Sequence, residues 1–164
     1  MIDLRVAVEV NIRPATWADL ELLVRWNSSV DRVVAPTLRR QERSEALVLL
    51  AVIGPWPVGH LLVDFVALQP EGATHFWHMG VHDTMRNRGV GTALIQVAER
   101  EASRRGLRES ALEVEKANPD ALRLYERLGY RITGEQDEVW PESDPGGARQ
   151  DVAHPCWTLR KRLE

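Results

Sequence analysis

Apolar positions in this chain come in short dense runs and in helical stripes, and their order predicts the architecture. Val6 to Ile12 (VAVEVNI) is short and β-branched and predicts a first strand. Thr16-Trp-Ala-Asp19 has the Ser/Thr-x-x-Asp/Glu spacing of a capping box, and Leu20, Leu23, Val24 and Asn27 continue it at helical spacing. Residues 28–45 are mixed and polar, with room for a short helix. Ala46 to Ile53 and Val58 to Leu68 are two apolar, β-branched runs, and Gly54-Pro-Trp-Pro57 between them predicts a hairpin turn. His75 to His82 predicts a third long strand.

From Thr92 onward, Ala93, Leu94, Val97, Ala98 and Ala102 form a helix stripe with Gln96, Glu99, Arg100 and Arg104 opposite, and Gly106 stands where a C-cap glycine belongs. Ser110 to Val114 predicts another strand. Asn118-Pro119 supplies an N-cap with proline at the first helical position; Ala121, Leu122, Leu124, Tyr125 and Leu128 form the buried face, and Gly129 ends the helix. Tyr130 to Val139 and Cys156 to Leu163 predict closing strands. Trp140 to Pro155, with three prolines and a Gly-Gly, predicts a long loop. This order belongs to the α/β class: a twisted, mixed central sheet flanked by helices, with a right-handed crossover between the strands at 75–82 and 110–114. No repeat or linker divides the chain, so residues 1–164 are expected to form a single domain.

Composition narrows the function classes. The chain has 164 residues, 44% of them apolar and 27% charged, as in ordinary globular proteins. Its 21 Lys and Arg against 24 Asp and Glu leave a net charge of −3, so no global basic field recruits nucleic acid. No window approaches 18 uninterrupted apolar residues, so no membrane partner is expected, and the acid at position 3 speaks against a signal peptide. The lone Cys156 excludes an internal disulfide. A cytoplasmic protein is expected.

Chemistry concentrates in Met85-Arg-Asn-Arg-Gly-Val-Gly-Thr92. A strand, a loop with glycines at 89 and 91, and a helix starting near 90 make an anion site, because the first amides of a helix lack intrahelical partners. Gly89 and Gly91 let phosphate oxygens approach the backbone, and Arg86 and Arg88 add charge. A P-loop would need a lysine after Gly91, and a dinucleotide fingerprint a third glycine where Leu94 stands. Both readings fail.

Val81-His-Asp-Thr-Met-Arg86-Asn-Arg-Gly89-Val-Gly91-Thr-Ala-Leu-Ile95 resembles the acyl-CoA signature of the GNAT superfamily of N-acetyltransferases, whose core Gln/Arg-x-x-Gly-x-Gly/Ala is matched by Arg86, Gly89 and Gly91. Asn11 to Leu20, Leu112 to Tyr130 and Cys156 to Leu163 resemble the family's first strand and helix, its second signature and its closing strand, in order. The resemblance implies acetyl-CoA as co-substrate. It implies that Met79 and Val81 pair with the pantetheine arm through their backbone. Arg86 and the segment Arg88, Gly89, Val90, Gly91 and Thr92 hold the pyrophosphate, and Asn118 touches the pantetheine or thiol end. It places Tyr125 at the proton-donor position of a direct attack by an amine, with core packing as its other reading.

Glu113, Glu115, His78 and His82 are candidates for the general base, and a water relay stands beside them. No metal site is expected: His75, His78 and His82 are suggestive, but regular alternation turns His75 away from the other two. Cys156 is expected to be a buried structural thiol. The stretch from Glu135 to Asp151 holds Glu135, Asp137, Glu138, Glu142, Asp144 and Asp151 against Arg149. It is either a solvated loop or an acidic rim and acceptor lid for a cationic amine, with Trp140 and Trp157 free for cation–π contact. The expected acceptor is the primary amine of a small molecule. A protein or peptide amine, or no acceptor in a non-catalytic acyl-CoA sensor, are the alternatives. A homodimer is compatible with the resemblance.

Overall fold

The computed structural model describes residues 7–26, 31–143 and 149–164. Val6, Asn27, residues 28–30 and residues 144–148 of the predicted elements lie outside them. The first strand, β1, is Asn11–Pro14, later and shorter than the predicted run. Asn11 faces Val52, one residue from the end of the next strand, so the residues before it run past their pairing partner. Val8 is accordingly 55% exposed.

A 3-10 turn at Trp17–Asp19 leads into α1, Leu20–Trp26. The capping box closes as predicted: the Thr16 amide donates to Asp19 Oδ2 at 2.8 Å. Asp19 also receives both Arg13 guanidinium nitrogens, at 2.7 and 2.8 Å, which ties the turn to β1. The polar stretch becomes α2, the 12-residue helix Asp31–Glu42. Its Val34 and Leu38, four apart, are buried in one cluster with Val48 and Leu50.

Two strands, β2 (Ala46–Ile53) and β3 (Trp56–Asp64), form the hairpin. Ile53 pairs with Trp56, so the turn is only Gly54-Pro55, and Trp56 and Pro57 belong to the ladder. Pro57, with no amide to donate, sits at the register shift beside Val52. The strand stops at Asp64 rather than Leu68 because Asp64 Oδ1 accepts the amides of Val66 and Ala67, both at 2.9 Å, and bends the chain.

Then follow β4 (Ala73–Val81), α3 (Val90–Arg104), β5 (Glu109–Glu115) and α4 (Pro119–Arg127), at the predicted places. The last hairpin, β6 (Arg131–Ser143) with β7 (Arg149–Arg162), corrects the predicted loop. Its ladder runs on through Trp140 facing Val152 to Ser143 facing Arg149. Prolines are tolerated because β6 is an edge strand, while Pro155 lies just beyond the last β5–β7 pair, Glu115 with Cys156. Beyond that pair the hairpin is a two-stranded ribbon.

All strands join in one sheet of order β1-β2-β3-β4-β5-β7-β6, antiparallel except where β4 and β5 pair in parallel. Alternation divides it into two faces. Leu49, Leu61, Val63, Phe76, Leu112, Val114 and Leu159 pack under the α3 residues Leu94, Ile95 and Ala98 and under Tyr125 of α4. Val48, Leu50, Leu62 and Trp77 pack under α1 and α2 on the opposite face. This is the expected mixed α/β sheet flanked by helices.

Candidate active site

The sheet is forked. β4 and β5 pair only at Ala73 with Glu109, Thr74 with Ser110 and His75 with Ala111. Past His75, β4 continues to Val81 bonded to β3 alone, and β5 continues to Glu115 bonded to β7 alone. Among the described residues, the edge of β4 that faces the fork therefore carries main-chain groups with no strand beside them. His82 N–H donates to Val58 O at 2.9 Å on the β3 side. Amides alternate along an extended strand, so the Val81 and Met79 amides turn toward the fork. Met79 and Val81, the two residues named from the sequence, lie on this unpaired stretch of β4.

The start of α3 stands at the outer end of the fork. Gly89 is its N-cap in the left-handed region, φ 83°, with no side-chain cap and open space where a Cβ would be. Ala93 N–H closes the first turn on Gly89 O at 3.0 Å. The amides of Val90, Gly91 and Thr92 therefore have no intrahelical acceptor. Gly91 is not held small by packing: a Cβ there would meet Leu124, Met79 and Val81 at 3.5–3.8 Å, ordinary contacts between helix and fork. Arg86 pairs with Asp83 at 2.8 Å and Arg88 Nε donates to Thr84 O at 3.1 Å. Both arginines lie beside the helix start, held by the 83–85 turn.

Tyr125 of α4 is buried on the α3 side of the sheet, in one cluster with Leu112 and Val114 of β5. It is 7% exposed and packs edge-on to Tyr130 at 5.8 Å. Burial pushes its hydroxyl up to about 12. Tyr130 is tied instead to Ser110 at 2.8 Å and Glu99 at 3.0 Å, which makes it the structural member of the pair. Asn118 spends its side-chain oxygen on the Ala121 amide at 3.1 Å, as N-cap of α4, which leaves its amide nitrogen available.

On the opposite face the structure corrects the predicted geometry of β4. A bulge sets two residues, His78 and Met79, against one on β3, with His78 left-handed at φ 49°. The bulge resets the alternation, so His75, Trp77, His78, Gly80 and His82 share the α1–α2 face. His75 does not face away. Its Nε2 lies 2.6 Å from Glu113 Oε2, across the fork just beyond the last rung.

His78 Nδ1 lies 3.1 Å from Nε2 of His60, which is 2% exposed and edge-on to Trp26 at 5.2 Å. Burial holds His60 well below the ordinary imidazole range, at about 3, and also lowers His78. The His60 Nδ1 has no partner among the described residues. The bond is therefore best made with His60 donating from Nε2, since an orphaned lone pair costs less than an orphaned N–H. His60 faces Gly80, whose missing side chain makes room for it. Sequence reasoning did not single out His60 or Gly80; the only signal was a histidine inside an otherwise apolar strand.

The ribbon divides the predicted acidic rim. Glu135, Asp137 and Asp151 fall on one side, and Glu138 and Glu142 on the other, as strand alternation requires. The two tryptophans are not free. Lys116 Nζ sits 4.1 Å over Trp157 and pairs with Glu135, while Trp140 stacks on His154 at 3.9 Å. Glu142 and Glu115 approach the two His154 ring nitrogens at 3.2 and 3.7 Å. Cys156 is buried, and burial raises its thiol further.

The fold that carries this fork and helix start has counterparts among known proteins. The family model of the acetyltransferase (GNAT) family matches residues 12–130, more than half of the chain. The fold resembles that of a GNAT-family acetyltransferase from Streptococcus pneumoniae, with TM-score 0.75 and 19% identity over 94% of this chain and 100% of that one. It resembles the ribosomal-protein-S18-alanine N-acetyltransferase of Escherichia coli, with TM-score 0.74 and 15% identity over 95% of each chain. It also resembles a GNAT superfamily phosphinothricin acetyltransferase from Sinorhizobium meliloti, solved with AcCoA, with TM-score 0.73 and 15% identity over 94% of this chain and 88% of that one. The chain belongs to the GNAT acetyltransferase family, whose members use acetyl-CoA.

Proposed function

We propose that this protein transfers the acetyl group of acetyl-CoA to the primary amine of a small molecule by direct attack. The observation that carries the reading is the fork, with free β4 amides along it and the free start of α3 at its mouth. The backbone of Met79 and Val81 accepts the pantetheine arm as an added strand. The amides from Arg88 to Thr92, with Arg86 and Arg88 beside them, hold the pyrophosphate. Acetyl-CoA, once bound, supplies an activated thioester. The Val81 amide stabilises the charge that develops on its oxygen, and the free amide nitrogen of Asn118 reaches the thiol end.

With α3 and α4 on the cofactor side, the amine enters from the α1–α2 face. An amine of the lysine type has a pKa of about 10.4 and must lose a proton before it attacks. Four residues compete for that role. His78 has its Nδ1 engaged by His60 and is lowered by burial. His82 Nδ1 is engaged by the Thr84 hydroxyl at 2.9 Å, at the far end of β4. Glu115 faces His154. Glu113 stands nearest the crotch of the fork, two residues past Ala111, and is the base in this reading. A carboxylate there also suits a cationic acceptor.

Tyr125 acts on the leaving sulfur. A hydroxyl at about 12 cannot simply hand its proton to a thiolate of about 8.5, since the difference costs roughly 5 kcal/mol. Its role is to donate a hydrogen bond to the thiolate as it forms.

Free-thiol release from acetyl-CoA, measured across small amines and N-terminal peptides, tests the reading. Release with a small amine and intersecting initial-velocity lines supports it. Parallel lines with an acetylated enzyme would remove direct attack. Release with peptides alone would move the acceptor class, and binding of acetyl-CoA without release to any amine would favour a sensor.

A further inference from the structure

The fork holds one side-chain rung beyond its last backbone rung. His75 lies on the final β4–β5 pair, and its Nε2 approaches Glu113 Oε2 at 2.6 Å with both side chains largely covered, at 27% and 19% exposure. At that distance the imidazole must donate its Nε2–H, because two lone pairs would repel. Among the described residues this is the only hydrogen bond to the Glu113 carboxylate. The charged residues nearest the pair along the ladder are engaged elsewhere. Asp64, opposite His75 on β3, is held by Arg40 at 2.7 Å. Arg160, opposite Ala111 on β7, is held by Glu71 and Glu109. Glu115 faces His154, and Cys156 lies opposite it.

We propose that His75 is a positioning residue for Glu113: by taking Oε2 it fixes the carboxylate across the fork and leaves Oε1 as the oxygen that meets the acceptor ammonium. This rests on the reading of Glu113 as the base. Oε1 then accepts a hydrogen bond from the ammonium and guides its proton on to water, leaving a neutral amine. His75 holds its own Nε2 proton throughout. A glutamate has three rotatable bonds, and this one sits where the backbone ladder has just ended, so a fixed orientation requires a donor from the other strand.

Steady-state kinetics on the full chain separates the possibilities, with His75→Leu, His75→Gln, Glu113→Gln and the double variant His75→Leu/Glu113→Gln, each checked for folding by its melting temperature. Glu113→Gln is expected to lower kcat about a hundredfold. His75→Leu should lower kcat about tenfold with KM for acetyl-CoA unchanged. His75→Gln, which keeps a donor, should recover most of the loss, and His75→Leu should have no further effect in the Glu113→Gln background.

A fully active His75→Leu beside an impaired Glu113→Gln overturns the positioning role alone. A raised KM for acetyl-CoA at unchanged kcat would make the pair a structural rung, which also overturns it. A fully active Glu113→Gln removes the base reading and this inference with it. Ring nitrogen shifts of His75 read the bond without turnover: the Nε2–H tautomer supports it, and the Nδ1–H tautomer in the wild type overturns it.

Discussion

Replacing Gly80 by alanine drives a methyl carbon into the ring of His60. The added Cβ would stand 2.5 Å from His60 Cε1 and 3.2 Å from both ring nitrogens, whereas carbon atoms rest at about 3.5–4.0 Å. The ring must retreat by about 1 Å, and it has nowhere to go. It is 2% exposed, edge-on to Trp26 at 5.2 Å and bonded to His78 at 3.1 Å. Overpacking costs about 1–3 kcal/mol, and losing the His60–His78 bond about 0.5–1.5 kcal/mol more. Alanine returns roughly 0.4–1 kcal/mol by restricting the unfolded chain. The net expectation is a loss of about 2–3 kcal/mol, or roughly 4–12 °C in melting temperature at this size. Denaturant unfolding of Gly80→Ala, His60→Ala and the double variant measures it. Because the alanine methyl enters the space His60 vacates, the double variant should be at least about 1 kcal/mol more stable than the sum of the singles. Additive singles, or a Gly80→Ala melting at the wild-type temperature, would refute the contact. Gly80 lies between Met79 and Val81, so the same variant should also raise KM for acetyl-CoA.

Three further outcomes are expected. Gly89→Glu should weaken CoA binding about tenfold or more by calorimetry relative to Gly89→Ala, which bears the same strain at φ 83° without the carboxylate; equal affinities for the two variants would remove the cradle. Tyr125→Phe should lower kcat about tenfold or more with little change in KM for acetyl-CoA, since only the forming thiolate needs its hydrogen bond; full activity in the thiol-release assay would return the tyrosine to the core. Asp19 is held down to about 2 chiefly by its Arg13 hydrogen bonds. Its folded pKa is depressed, so its contribution of about 2 kcal/mol is present above the unfolded value near 3.9 and is lost as pH falls through about 2. Asp19→Asn should remove that part of the acid-side fall in stability in a pH series of denaturant melts.

Most elements were legible because their signals are local. The α3 stripe, the Asn118-Pro119 start of α4 and the Thr16–Asp19 box are short-range patterns, and each lies where it was expected. The errors came where a partner strand decides. Val6 to Ile12 has strand chemistry, yet pairing begins only at Asn11, where β2 comes alongside. Trp140 to Pro155 has turn chemistry, yet much of it is ladder, because an edge strand tolerates proline and a long partner pulls it on. The uncapped start of α3 was legible as glycines next to a helix stripe. The Glu113–His75 pair was not, because regular alternation assigns His75 to the wrong face, and the bulge that resets it is a property of β3 and β4 together.

That bulge joins the two halves of the proposed site. On one face its resetting brings Met79 and Val81 against α3, where their side chains pack near Gly91 while their amides open to the fork. On the other it gathers His75, His78 and Gly80 on the acceptor side. A left-handed non-glycine residue such as His78 costs about 1–2 kcal/mol unless its surroundings hold it. Here the His60 hydrogen bond and the space left by Gly80 do so. His78 thereby sets the register of the proposed cofactor strand relative to His75, whose own face is fixed by its pairs with Asp64 and Ala111. Loosening the bulge should therefore disturb acetyl-CoA binding and turnover together, whereas removing Tyr125 or His75 should disturb turnover alone.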